Sequence, residues 1–199
     1  MKVYFATSNK GKVQNAQDSL VAFGIEVEQI EMDLIESRAE DPAEIALEKA
    51  KQAYKELKRP VIVEDSGFFI EALDGFPMTH IKFSLKTLGI TNILKLLKGV
   101  TNRRAEWRMT LAYVSGKETF KTFTFVEKGE LATSLRPVKR SMMSDYWRLY
   151  IPKMLATNTL ALSEMTEEGL ESWQKYYTKN NQFMLFGKWF KKQQATKKK

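Results

Sequence analysis

A chain of 199 residues with 43% hydrophobic content can bury a core of its own, and its size suits one domain. It has no cysteine, which excludes disulfides, thiolate metal sites and a cysteine nucleophile. No apolar run reaches membrane-spanning length and no secretory leader stands out, so a cytoplasmic protein without a membrane partner is expected. The formal net charge of +8 is not spread along the chain: Glu171 is the last acidic residue, and the eight lysines after it equal the whole excess. A solvated basic tail over residues 191–199, following one domain over 1–190, is the expectation, and nucleic acid is not expected as a partner.

In chain order, MKVYFAT predicts a first strand. Val13, Ala16, Leu20 and Phe23 then recur at helical spacing, and Gly24 ends that helix. IEVEQI alternates as a second strand. Asp41 caps the next helix, with Pro42 in its first turn, Glu44 completing a capping box, and Ala46, Ala50, Ala53 and Leu57 as its apolar face. PVIVED is a third strand, apolar until Glu64 and Asp65, as a strand covered on both faces would be. Residues 79–98 predict two short helices broken at Gly89. AEWRMTLAYV and TFKTFTFV flank a hairpin turn at Ser115-Gly116-Lys117, GELATS adds a further strand, and residues 166–190 are helical, with Trp173, Tyr176, Tyr177, Phe183, Phe186 and Trp189 as core contacts. The order predicts a mixed α/β fold on a long twisted sheet flanked by helices.

Two stretches carry chemistry. TSNKGK, residues 7–12, follows a strand and opens a helix. Helix N-termini bind phosphate through N–H groups and the dipole, and here Thr7, Ser8 and Asn9 add polar side chains while Lys10 and Lys12 add charge. Glu36 follows the second strand, and Glu64 and Asp65 end the third. Ligands of open α/β sheets collect at the carboxyl ends of strands. Carboxylates facing phosphate-binding groups suit Mg²⁺ with a polyphosphate, because Mg²⁺ takes one or two carboxylates together with substrate phosphates.

FATSNKGK followed by VEDSGFFIEALDGFP resembles the inosine triphosphate pyrophosphatase family, and the likeness runs on through HIKFSLKTLG, NRRAEWRMTLAYV and KGELA, to about residue 133. The resemblance implies two lobes around a central nucleotide cleft, a homodimer and a purine nucleoside triphosphate as ligand. By position it assigns Thr7, Asn9 and Lys12 to phosphate, Glu36 to the metal, Lys49 and Ser66 to substrate, and Asp65 to both the metal and the attacking water.

The second half departs from the family pattern. Where members carry an aromatic base-lining segment, this chain has RSMMSDYWRLYIP, which puts Tyr146 at the aromatic position and Trp147 where an aspartate belongs. The family's Ser-His-Arg triplet is replaced by Tyr177-Thr178-Lys179, and Lys175 is the nearest substitute for a further lysine. Tyr146, Lys175 and Lys179 are therefore the candidate base-side contacts. The only histidine, His80, is expected to be structural. With the phosphate half kept and the base half lost, the expectation is a sensor or regulatory subunit that binds dITP or ITP with little turnover. An effector protein would be its partner, as in diverged relatives in anti-phage defence. The alternative is an active Mg²⁺-dependent pyrophosphatase of ITP, dITP or XTP.

Overall fold

The computed structural model describes residues 2–153 and 158–196; the lysines at 197, 198 and 199 lie outside them. Among the described residues, seven strands form one mixed sheet: β1 (Lys2–Ala6), β2 (Glu26–Ile30), β3 (Val61–Ile70), β4 (Pro77–Met78), β5 (Arg104–Val114), β6 (Phe120–Leu131) and β7 (Tyr150–Pro152). Their order is β2-β1-β3-β5-β6-β7, with β4 antiparallel on β3. The helices are α1 (Lys10–Leu20), α2 (Pro42–Leu57), α3 (Ile81–Thr87), α4 (Gly89–Leu96), α5 (Glu167–Asn180) and α6 (Gln182–Thr196). The mixed α/β class expected from the sequence is the one observed.

The chain divides into two compact units. The first comprises residues 1–66, 109–125 and 177–199. Here β1 runs parallel to β2 from Lys2 against Glu26 to Ala6 against Ile30, and parallel to β3 with Phe5 against Ile62. One core joins α1 and α6 to the sheet through Val13, Ala16, Leu20, Ile62, Phe183 and Phe186. A second joins α2 through Ala46, Ala50 and Ala53 to Val61 and Val63. Successive strand residues point to opposite faces, so Ile62 packs on the α1 side and Val61 and Val63 on the α2 side.

The second unit comprises residues 67–108 and 126–176. Its core gathers Phe68, Ile93, Leu97, Leu131, Tyr146, Tyr150 and Leu162.

Three elements differ from the expectation. The third strand does not stop at Glu64-Asp65; β3 continues to Ile70 because Phe68, Phe69 and Ile70 are themselves buried. GELATS is not a separate strand, since β6 runs unbroken through Leu131. The closing helix is two helices, parted at Asn181, whose amide donates to Ser19 Oγ while its carbonyl oxygen accepts from the Met184 N–H. The second of these, α6, extends through the residues expected as a tail, as far as Thr196.

Candidate phosphate and metal site

The α1 N-terminus is built by short side chains. Thr7 ends the β1 segment with its N–H on the Ile30 carbonyl, 3.1 Å. Its hydroxyl oxygen accepts from the Asn9 N–H at 3.1 Å. Asn9 is the cap: its side-chain oxygen accepts from the Gly11 and Lys12 N–H groups at 2.9 and 3.2 Å. The turn thus aligns N–H donors that a phosphate oxygen could take over from these neutral acceptors, with Ser8 and Lys10 exposed beside them.

Strand alternation then sorts the two adjacent carboxylates. Glu64 shares the parity of Ile62 and meets α1; Asp65 shares that of Val61 and Val63 and meets α2. Glu64 is buried, and its carboxylate lies 2.9 Å from the Lys12 ammonium, which also donates to the Glu64 carbonyl at 3.2 Å. The buried charge that the sequence left unexplained is compensated by this lysine. Burial by itself would push the Lys12 ammonium's pKa down. The charge and hydrogen bond of Glu64, with weaker pulls from Asp65 and Glu36, more than offset that and hold it above the ordinary lysine value.

On the other face, the Lys49 ammonium donates to Glu36 Oε2 at 2.8 Å and lies 3.6 Å from Asp65 Oδ1. Since one nitrogen stands at 2.8 Å from the first oxygen and 3.6 Å from the second, those oxygens are at most about 6.4 Å apart. Burial raises the Asp65 carboxyl's pKa to about 6, against the pull of Lys12 and Lys49 and with repulsion from Glu64 and Glu36. A carboxylate that is hard to ionise where it stands gains from a dication.

The donor set fits Mg²⁺. Glu36 and Asp65 offer hard carboxylate oxygens converging on one cation. Among the described residues no group of three or more His, Cys, Asp or Glu side chains could hold a metal. Mg²⁺ takes one or two carboxylates and completes its shell with substrate phosphates and water. Ser37, next to Glu36, has a buried hydroxyl without a hydrogen-bond partner in the structure.

Ser66 follows Asp65 on β3, half-buried. Lys175 and Lys179 are exposed on α5. Tyr146, expected to face a base, is fully buried in the core of the second unit. Its ring packs 4.6 Å from Phe68, and its hydroxyl shares a 3.0 Å hydrogen bond with Ser84. Trp147 packs edge-on to Trp173 at 5.8 Å.

Comparison with known proteins gives a consistent picture. The Ham1 family model matches residues 3–173. A dITP/XTP pyrophosphatase from Methanopyrus kandleri is 43% identical over 136 residues, covering 68% of this chain and 72% of that protein. One from Thermococcus kodakarensis is 38% identical over 136 residues, covering 68% and 73%. Among solved structures, the Ham1 protein of Staphylococcus aureus superposes with a TM-score of 0.69 at 20% identity, over 88% of this chain and 97% of that one. A nucleoside-triphosphatase, or dITP/XTP pyrophosphatase, of Mycobacterium abscessus gives 0.72 at 18%, over 88% and 95%. These two likenesses establish the fold.

Proposed function

The chain belongs to the Ham1 family, and from that premise we propose that it is a Mg²⁺-dependent nucleoside triphosphate pyrophosphatase acting on aberrant purine triphosphates such as dITP and XTP. The observation that carries the reading is the convergence of Glu36 and Asp65 on one ammonium, 2.8 and 3.6 Å away. Side by side with an α1 N-terminus capped by Asn9, it is an arrangement for a cation and phosphates.

In this reading Thr7, Ser8, Asn9 and Lys10 hold the phosphate chain at the start of α1. Lys12, clamped by Glu64, presents a fixed positive charge to the oxygens on which charge develops. Glu36 and Asp65 hold Mg²⁺, which when bound neutralises phosphate charge. Asp65 also accepts the proton of the attacking water. The water oxygen bonds to the α-phosphorus, the bond from that phosphorus to the bridging oxygen breaks, and monophosphate and pyrophosphate leave.

The departures that pointed to a sensor fall in residues 140–152 and 175–179. They bear on base recognition, not on the groups assigned to phosphate and metal, and the relatives bear the name of the enzyme. Turnover is therefore the favoured reading over sensing. Weak base discrimination goes with it, because the contacts that would leave buried polar groups unpaired against a wrong base are replaced.

The test is pyrophosphate release from dITP, XTP, ITP and the common triphosphates, with and without Mg²⁺. The proposal predicts Mg²⁺-dependent release with dITP or XTP among the best substrates. Stabilisation of the protein by one of these nucleotides without any release would return the sensor reading to first place.

A further inference from the structure

We propose that Lys49 is an exchangeable counter-ion, competing with a divalent cation for Glu36 and Asp65 and turning to phosphate when it is displaced. The inference rests on the metal-site reading above and adds to it an order of events.

Lys49 projects from α2 with only 17% of its side chain exposed, and its nitrogen lies 2.8 Å from Glu36 and 3.6 Å from Asp65. A Mg²⁺ ion bound to those oxygens at about 2.0–2.1 Å would sit between the same atoms. An ammonium and a dication cannot share that space without strong repulsion, so each excludes the other. The displaced ammonium keeps three donors and accepts from nothing, and it hangs on a flexible four-carbon stem. A phosphate oxygen is the anion that replaces what it has lost.

Lys12 is the contrasting case. Both of its contacts are to residue 64, the carboxylate at 2.9 Å and the carbonyl at 3.2 Å. A cation on Asp65 leaves that clamp in place. The two lysines thus divide the work: Lys12 is a fixed charge, and Lys49 couples cation binding to phosphate binding. By linkage, a cation that frees Lys49 must bind more tightly once phosphate has taken the lysine.

The experiment is Mn²⁺ binding, followed by the electron paramagnetic resonance of free Mn²⁺ in nucleotide-free protein, for wild type, Lys49→Gln, Lys49→Met and Lys49→Arg. Loss of the charge is predicted to tighten Mn²⁺ binding about two- to fivefold, the worth of one partly exposed ion pair. Lys49→Arg, which keeps the charge, stays near wild type. A second readout is the affinity for inorganic tripolyphosphate: Mn²⁺ should enhance it more in wild type than in Lys49→Gln. Circular dichroism checks that the variants fold, and the Met variant repeats the test with an uncharged, unbranched stem. Equal or weaker Mn²⁺ binding by both uncharged variants overturns the exchange while leaving the metal site standing. Failure of wild type and variants alike to bind Mn²⁺ overturns both.

Discussion

Glu64 and Asp65 are consecutive carboxylates with opposite duties. Glu64 neutralises Lys12 and Asp65 meets Lys49 and Glu36, because a strand turns alternate residues to α1 and to α2. Removing one member of a buried pair strands the other. Glu64→Ala should therefore cost about 3–5 kcal/mol in urea unfolding, and Glu64→Gln, which still accepts from Lys12, distinctly less. Asp65→Asn should behave in the reverse way. It removes a charge that burial disfavours, so the protein without divalent cations should be at least as stable in a thermal melt. Its catalysis should fall by about 10²-fold or more with the loss of base and metal ligand together. The sequence made these residues visible as a site because charge at the end of an apolar strand demands a partner. It did not show that Glu64 belongs to Lys12, since that depends on which helix covers which face. Tyr146 was legible only as an aromatic. That it fills the second unit's core against Phe68 and Ser84 depends on long-range packing.

At the scale of elements, strong local signals translated into structure. Asp41 accepts from the Ala43 N–H at 2.8 Å, and Pro42 opens α2. Gly24 closes the turn after α1 with φ of 66°. The elements that escaped were those too short to show a period, the two-residue β4 and the three-residue β7. The length of β3 escaped because charge looked like an ending, whereas the strand passes through it to Phe68. Helix α6 shows how tightly one element can be fitted. A Cβ at Gly187 would stand 2.3 Å from the Phe23 ring. Gly187→Ala, for all its better helix propensity, should therefore destabilise by roughly 1–3 kcal/mol in urea unfolding. If the alanine variant is instead more stable, the packing of α6 on the turn at residues 21–23 is not as described.

For the molecule as a whole, the net charge of +8 resides entirely beyond Glu171, so residues 1–171 carry no net charge. The pH dependence of stability then turns on individual buried groups. In the second unit Glu127 is buried, which pushes its carboxyl from 4.5 to about 7, eased by a hydrogen bond from the Trp173 indole. Between about pH 4.5 and 7 the unfolded chain gives up this proton and the folded protein keeps it, so the contribution falls as pH rises through that window. Above it the residue costs on the order of 3 kcal/mol. Glu127→Gln keeps an acceptor for Trp173 and removes the titration. Urea unfolding at pH 4.5 and pH 8 should show the variant gaining on wild type at the higher pH, and an unchanged difference would contradict this. The fold class could be read from the sequence, and Glu36, Glu64 and Asp65 could be picked out, because strand ends, caps and carboxylates are local features. The place of Tyr146 could not, because its core neighbours Phe68 and Ser84 are far from it in the chain. The central claim, that Glu36 and Asp65 serve hydrolysis at the α-phosphorus, is tested most directly by turning over dITP with Mg²⁺ in oxygen-18 water and weighing the products. The account predicts label in the monophosphate, unlabelled pyrophosphate, and both products formed about 10²-fold or more slowly by Asp65→Asn. Release of inorganic phosphate in place of pyrophosphate, or label in the pyrophosphate, would contradict it.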